Sequence, residues 1–301
     1  MKQIARHYTT RLLFFGMASR FWAAARAPLG AHGMRIGGGF SPAPPQAAAI
    51  SRVPPPRTPP ISLADSYTTP ADLAHAAGVP VFAVARLHAA EVGAMLAPLM
   101  PDLGCIACFP RRLPEALFTL PPGGCYNLHP SLLPAYRGPA PRFWIMRDAA
   151  QLGVTIHRVD AQFDHGPILA QQVIDLPDGV DGATIDTHSA VAAATLFATR
   201  SAAGIPLSSL RPQPAGGSAY PAPAAADFRI DTTWGARRAF NFMRATADWG
   251  QPYPIGIAGR EFQLQDAISY ETRRPSIPIR EEPGRVRLQL ADGALYARFR
   301  E

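Results

Sequence analysis

Through the first two-thirds of the chain, short apolar runs alternate with stretches whose apolar residues recur at helical spacing. The runs Arg11–Phe15, Arg35–Phe40, Val79–Val84, Leu103–Cys108, Cys125–His129, Val154–Arg158 and Ile168–Ile174 predict strands. Between them, Arg20–Ala31, Pro70–Ala77, Ala89–Leu99, Ala140–Ala149 and Thr184–Ala202 predict helices. Apolar strands separated by helices mark a sheet covered on both faces, so the expected fold is α/β, a doubly wound and mostly parallel sheet. Proline recurs through Ser41–Pro60, which excludes helix and central strand there and predicts a long surface loop. A second stretch rich in Pro, Gly and Ala, Gly204–Ala226, reads as a linker. Beyond it one helix, Gly235–Ala245, precedes short alternating runs at Arg260–Gln265, Arg285–Leu290 and Ala294–Phe299, the pattern of a small barrel. The expected organisation is a first domain over 1–203, a linker over 204–226 and a second domain over 227–301.

A chain of 301 residues can bury two cores of ordinary domain size. It has no stretch near the roughly 18 uninterrupted apolar residues of a membrane helix, so no membrane span is expected. Cys105, Cys108 and Cys125 form neither a disulfide framework nor a four-ligand zinc set, which points to a reducing, cytoplasmic setting. Cys105 and Cys108 have C-x-x-C spacing but fall in an apolar strand, where buried packing is the expectation. The net charge of +7 is unevenly placed: no Asp or Glu precedes Asp65, and the rest of the chain is close to neutral. An acid-free, Arg-bearing start suits either a surface for a polyanion or a targeting peptide, and Leu12–Gly16 reads better as a first buried strand and its turn. Lys2 is the only lysine, so compositional bias accounts for part of the charge. Gly37, Gly38 and Gly39 follow a strand without a G-x-G-x-x-G or P-loop pattern, and no nucleotide site is indicated.

The chemistry concentrates in Asn127-Leu-His129-Pro-Ser-Leu-Leu-Pro134 and its continuation Tyr136-Arg137-Gly138 to Pro141. Asn127 and His129, two apart on a strand, share one face. At the carboxyl end of a parallel strand that face opens on the crevice where doubly wound sheets bind ligands. The prolines and glycine that follow force an irregular loop able to offer backbone groups to a flat heteroaromatic ligand. Gly153-Val154-Thr155 then leads to Asp164-His165-Gly166, whose Asp-x-Gly sequence places Asp164 in a turn. Such a turn can bring the carboxylate over the neighbouring strand end, where it would orient His129 and hold it charged. An amide, an imidazole and a carboxylate are what acyl transfer to an amine requires: an oxyanion donor, a proton carrier and an orienting base. His157 and His165 have no ligand spacing and are expected in structural or solvent-facing roles.

These motifs, in this order and at these intervals, resemble the 10-formyltetrahydrofolate-dependent formyltransferases, and Asp227–Asp231 with Trp249–Pro254 is similar to the second domain of the methionyl-tRNA formyltransferases. The resemblance implies a Rossmann-like first domain and an OB-like second one. It makes Asn127, His129 and Asp164 the catalytic trio, the first two stabilising the oxyanion and the third assisting proton removal from the amine. It sets the folate co-substrate against Ser131, Leu132, Leu133 and Pro134, against Phe109, Pro110 and Arg111, and against the loop from Asp160 to Asp164, and it calls for no metal. The implied acceptor is the amino group of methionyl-tRNA, the implied enzyme a cytoplasmic monomer. Departures from the pattern keep other acceptors open. The loop Ser41–Pro60 offers only Arg52 and Arg57 where those enzymes carry a basic loop, and the domain from Ala222 on has twelve arginines against ten acids. Pro139 stands where relatives acting on a sugar nucleotide have Arg. The alternatives are an N-formyltransferase of an amino sugar nucleotide, a folate-binding or hydrolase homologue without tRNA activity, and a nucleic-acid-binding protein.

Overall fold

The computed structural model describes residues 10–16, 20–54, 75, 78–202 and 204–300. Apart from His75, the helix expected over Pro70–Ala77 lies outside them, as does Arg57. Strands β1 (Arg11–Gly16), β2 (Arg35–Pro42), β3 (Ile50–Val53), β4 (Val81–Val84), β5 (Leu103–Ala107), β6 (Cys125–His129), β7 (Gly153–Arg158) and β8 (Ile168–Val173) form one sheet in the order β3-β4-β2-β1-β5-β6-β7-β8. The five central strands are parallel, whereas β3, β7 and β8 run antiparallel to their neighbours, so the expected mostly parallel sheet is a mixed one. The reason lies in the connections: the turn from Val159 to Pro167 between β7 and β8 is too short for a parallel crossover. Part of the expected loop Ser41–Pro60 is also strand. β2 runs on to Pro42, and β3 pairs with β4 at the sheet edge, where flanking prolines are tolerated.

Helices α1 (Arg20–Ala31), α2 (Ala90–Leu96), α3 (Glu115–Phe118), α4 (Pro141–Asp148) and α5 (Gly182–Ser201) accompany this sheet. Alternation along β1 sends Leu12 and Phe14 to one face and Leu13 and Phe15 to the other, and each pair enters a separate apolar core. On the first face α5 lies against the sheet through Ile185, Ser189, Ala193, Phe197 and Ser201, one turn apart. Its N-terminus is capped by the Asp181 carboxylate, which accepts the Thr184 N–H at 2.7 Å. The strand containing Cys105 ends at Ala107, leaving Cys105 buried and Cys108 exposed with φ +54°, which corrects the expectation that both cysteines of the C-x-x-C are packed inside. Burial pushes the Cys125 thiol up to about 12 and raises Cys105 as well, so neither is a nucleophile.

A second, antiparallel sheet consists of β9 (Tyr253–Ile257), β10 (Arg260–Glu271), β11 (Ile279–Glu282), β12 (Arg285–Gln289) and β13 (Ala294–Arg300) in the order β11-β12-β13-β10-β9. Among the described residues its outer strands, β11 and β9, are not paired with each other. Helix α6 (Ala236–Thr246) covers one face through Ala239, Phe242 and Met243. Phe143 of α4 reaches into the same core, 4.9 Å from Phe228 and 5.3 Å from Phe242 between ring centres, and so pins the two parts together. The segment between them does not hang free. It lies along the first domain as a strap, bridged at Ile168↔Arg211 and Arg137↔Ala219.

Candidate active site

β6 ends the series of parallel strands, and its period of two points Asn127 and His129 to the same side. Because β7 returns antiparallel, His157 stands directly across from Asn127 and Thr155 across from His129. Thr155 is fully buried and fastens the loop after β6: its hydroxyl donates to the Ser131 carbonyl at 2.7 Å and accepts the Leu133 N–H at 3.0 Å. Gln171 of β8 adds a bond from its amide to the Leu133 carbonyl at 2.7 Å. Gly153 leaves room for Leu132, since a Cβ there would meet the Leu132 Cδ2 at 2.5 Å. The motif Gly153-Val154-Thr155 is therefore a mould for the 131–133 loop.

The turn between β7 and β8 carries Asp164 back over the end of β6, with φ +55°, a conformation that L residues other than Asn and Asp rarely take. Gly166 is required beside it, because a Cβ there would lie 1.8 Å from the Arg158 carbonyl oxygen. Asp164 is 8% exposed and its carboxylate is ringed by nitrogen atoms. Oδ1 accepts from Asn127 Nδ2 at 3.2 Å and lies 3.6 Å from both His129 Nδ1 and His157 Nε2. Oδ2 accepts the Gly138 N–H at 3.0 Å. Turning the Asn127 amide over would set its oxygen against this carboxylate, so the neighbours fix its orientation. Its second hydrogen points to His157 Nε2 at 3.2 Å, and His157 Nδ1 is 3.1 Å from the Arg158 carbonyl oxygen.

Electrostatics settle the charges. Burial alone would raise the Asp164 carboxyl, but the charge that His129 carries when protonated, the His157 imidazole and the Gly138 N–H outweigh it and hold the group well below the usual carboxylate range. Burial pushes His129 below its ordinary value, with Asp164 and the Tyr136 carbonyl pulling the other way. The expectation that the carboxylate holds His129 charged is thereby corrected: desolvation of a side chain that is only 4% exposed wins. A neutral His129 donating from Nε2 to the Tyr136 carbonyl at 3.0 Å keeps the Nδ1 lone pair beside Asp164. That nitrogen can take up a proton which the neighbouring carboxylate then stabilises.

The other expected contacts are less uniform. Ser131 and Leu133 are buried, and the Ser131 hydroxyl donates to the Ala135 carbonyl at 2.7 Å, so their side chains shape the loop from within while Leu132 and Pro134 stay half-buried. Phe109 packs against Phe15, ring centres 5.8 Å apart, and Pro110 is exposed. Arg111 donates to the carbonyls of Ala85 and Ala43 at 2.7 Å each, clamping the loops after β2 and β4. Asp160 accepts the Gln162 N–H at 2.8 Å and so rounds the turn leading to Asp164. Cavities of about 470 and 510 Å3 lie beside the strap and beneath α6; neither is lined by Asn127 or His129. Among the described residues no group of three or more His, Cys, Asp or Glu is placed to hold a metal ion.

An amide, a neutral imidazole and a buried carboxylate gathered at the carboxyl edge of a sheet, with no serine or cysteine nucleophile among them, define a site suited to group transfer in which the acceptor attacks directly. The chain belongs to the formyl transferase family, whose model matches residues 45–196. It is 30% identical over 209 residues to a methionyl-tRNA formyltransferase of Xanthomonas campestris pv. campestris, covering 67% of each chain. It is 46% identical to that of Chloroflexus aggregans over 108 residues, 36% of this chain and 34% of the relative. The match thus spans only about a third of the Chloroflexus protein's length. Among solved structures, the N-formyltransferase from Helicobacter canadensis, crystallised with folinic acid and dTDP-3-aminofucose, superposes with a TM-score of 0.63 at 13% identity, covering 97% of this chain and all of that one. HypX from Aquifex aeolicus in complex with tetrahydrofolic acid gives 0.55 at 16% identity, covering 96% of this chain and 43% of that one. At such identities these two show the fold alone.

Sequence reading missed three participants. His157, expected to be structural or solvent-facing, is 2% exposed and touches Asn127. The Gly138 N–H and the Tyr136 carbonyl are backbone groups with no signal of their own. The antiparallel register between β6 and β7, had it been assumed, would have placed His157 beside Asn127.

Proposed function

We propose that the protein transfers a formyl group from 10-formyltetrahydrofolate to a primary amine, the amino group of methionyl-tRNA. The observation that carries this reading is the convergence of Asn127, His129 and Asp164 within 3.6 Å on one carboxylate oxygen, in a chain of the formyl transferase family. Relatives named methionyl-tRNA formyltransferase at 30–46% identity favour that acceptor over an amino sugar. A second reading, an amino sugar nucleotide as acceptor, draws support from the superposition on the whole length of the Helicobacter enzyme.

In the first step the acceptor nitrogen attacks the formyl carbon and negative charge develops on the carbonyl oxygen. Asn127 supplies a donor to that oxygen by releasing one hydrogen from an existing partner. The bond to His157 is the cheaper one to give up, because the bond to the ionised Asp164 is charge-assisted. His129 Nδ1 and Asp164 take the proton leaving the acceptor nitrogen. As the bond from the formyl carbon to the folate nitrogen breaks, that nitrogen receives a proton, so one C–N bond replaces another with no net gain or loss of protons. Leu132 and Pro134 on one side and Phe109 and Pro110 on the other wall the crevice for the pterin, which the backbone of the 131–134 loop can recognise without a charge. The second domain, for which an OB-like character is part of this proposal, forms the far side of the cleft, and the enzyme acts as a cytoplasmic monomer.

The test is to incubate the protein with 10-formyltetrahydrofolate labelled in the formyl group and, separately, methionyl-tRNA or an amino sugar nucleotide. Label on the methionyl-tRNA is the expected result, label on the sugar alone would move the assignment to the second reading, and label on neither would end both.

A further inference from the structure

The strap between the two sheets contributes a side chain to the catalytic turn. Gln213 sits on it, and its amide nitrogen donates to two carbonyls of that turn, Asp164 at 2.7 Å and Gly166 at 2.9 Å. Its amide oxygen accepts from the Arg137 guanidinium at 2.8 Å. Arg137, 9% exposed, donates from Nε to the same Asp164 carbonyl at 3.2 Å and from Nη1 to the Gly216 carbonyl at 3.2 Å. The next residue, Gly138, gives its N–H to Asp164 Oδ2. One amide thus ties together the turn that bears the carboxylate and the loop that holds it.

Two features make this tie consequential. Asp164 has φ +55°, so its backbone is held in a sparsely populated conformation by its surroundings. Pro167, which follows Gly166, has no N–H to give, so at that end the turn is held by its carbonyl alone, which accepts the Arg158 N–H at 2.9 Å. The strap itself is seated closely: Ser218 N–H donates to the Pro134 carbonyl at 3.1 Å, and the Tyr136 and Arg137 N–H groups donate to the Ser218 hydroxyl and carbonyl at 2.9 Å each. A stretch whose composition reads as a linker is built into the wall of the site.

We infer that Gln213 is a positioning residue for formyl transfer, acting through the backbone of Asp164 to keep the carboxylate within reach of Asn127, His129 and the Gly138 N–H. The inference rests on the formyl-transfer reading. It gives the strap a role beyond joining two domains, because a displacement of the second domain would reach Asp164 through this amide.

Gln213→Ala and Gln213→Glu separate positioning from mere attachment. The Glu variant keeps the length and gives Arg137 an acceptor of opposite charge, so the strap stays anchored, but it has no hydrogens for the Asp164 and Gly166 carbonyls. With the full chain, kcat is expected to fall at least about tenfold in both variants, since a displacement of the order of 1 Å can cost up to 10²-fold, while KM for the folate changes little. A second readout needs no turnover: in NMR titrations of the unliganded protein, His129 should titrate at lower pH in both variants as it loses the nearby charge. Wild-type kcat with an unmoved His129 in the Glu variant would overturn the inference. If the wild-type protein transfers no formyl group to any amine, the functional reading fails, and the His129 titration still decides whether Gln213 positions Asp164.

Discussion

Replacing Asp164 by Asn keeps the size of the side chain, removes its charge, and leaves the new amide no good orientation. Both carboxylate oxygens face donors, Oδ1 toward Asn127 Nδ2 at 3.2 Å and Oδ2 toward the Gly138 N–H at 3.0 Å. An amide has one oxygen, so whichever way it turns its NH2 group confronts one of those two donors. A buried donor left without an acceptor costs about 1–3 kcal/mol, and the bond that survives loses the extra 1 kcal/mol or so that an ionised acceptor gives. The variant should therefore be destabilised by about 2–4 kcal/mol at pH 7, measurable by urea denaturation. The pH dependence has a defined sign. The folded-state carboxyl lies below its unfolded value, so its stabilisation is fully present above about pH 4 and is lost as pH falls through that range toward the depressed value. His129 acts the other way: without Asp164 its value drops further, so the gap between the two proteins widens as pH falls through the folded value of His129, below its ordinary 6.5. Below about pH 4 the gap should close steadily. A variant as stable as wild type at pH 7, or a gap that does not narrow between about pH 4 and 3, would refute the reasoning.

Three further outcomes are expected. Gly138→Ala places a Cβ 2.1 Å from the Tyr220 carbonyl oxygen at φ +116°, so it should lift the strap and cost at least about 1–3 kcal/mol in thermal denaturation; an unchanged Tm would show that the contact can relax. Phe143→Ala empties a fully buried ring position shared by α4 and the second core, for which the cost is about 3–5 kcal/mol, and a loss below about 1 kcal/mol would contradict the account of how the two parts are pinned. A thiol reagent should modify Cys108 in the native protein and reach Cys105 and Cys125 only on unfolding; native labelling of Cys125 would contradict its burial.

The geometry of the candidate site was legible where it depends on local periodicity. Asn127 and His129 share a face because strands alternate, and Asp164 sits in a turn because Asp-x-Gly sequences make one. What the sequence hid depends on pairing between distant segments. His157 enters the site only through the register Asn127↔His157, and Gln213 only because the strap folds back over the turn. Proline misled twice. Its density around β3 masked an edge strand, and in 204–226 it suggested a linker without showing that the segment is bridged back to Arg137 and Ile168. The charge of His129 was misjudged for another reason: a sequence displays the neighbouring carboxylate but not the depth of burial that outweighs it.

The central claim is that the buried cluster around Asp164 is the centre of formyl transfer, and single-turnover kinetics of Asn127→Ala test it most directly. With saturating 10-formyltetrahydrofolate and the acceptor that the wild-type protein labels, the chemical step should slow by about 10²-fold or more, the scale for losing one oxyanion donor, while the affinity for the folate stays within a few-fold. A transfer rate close to that of the wild-type protein would contradict the account and place the chemistry elsewhere in the molecule.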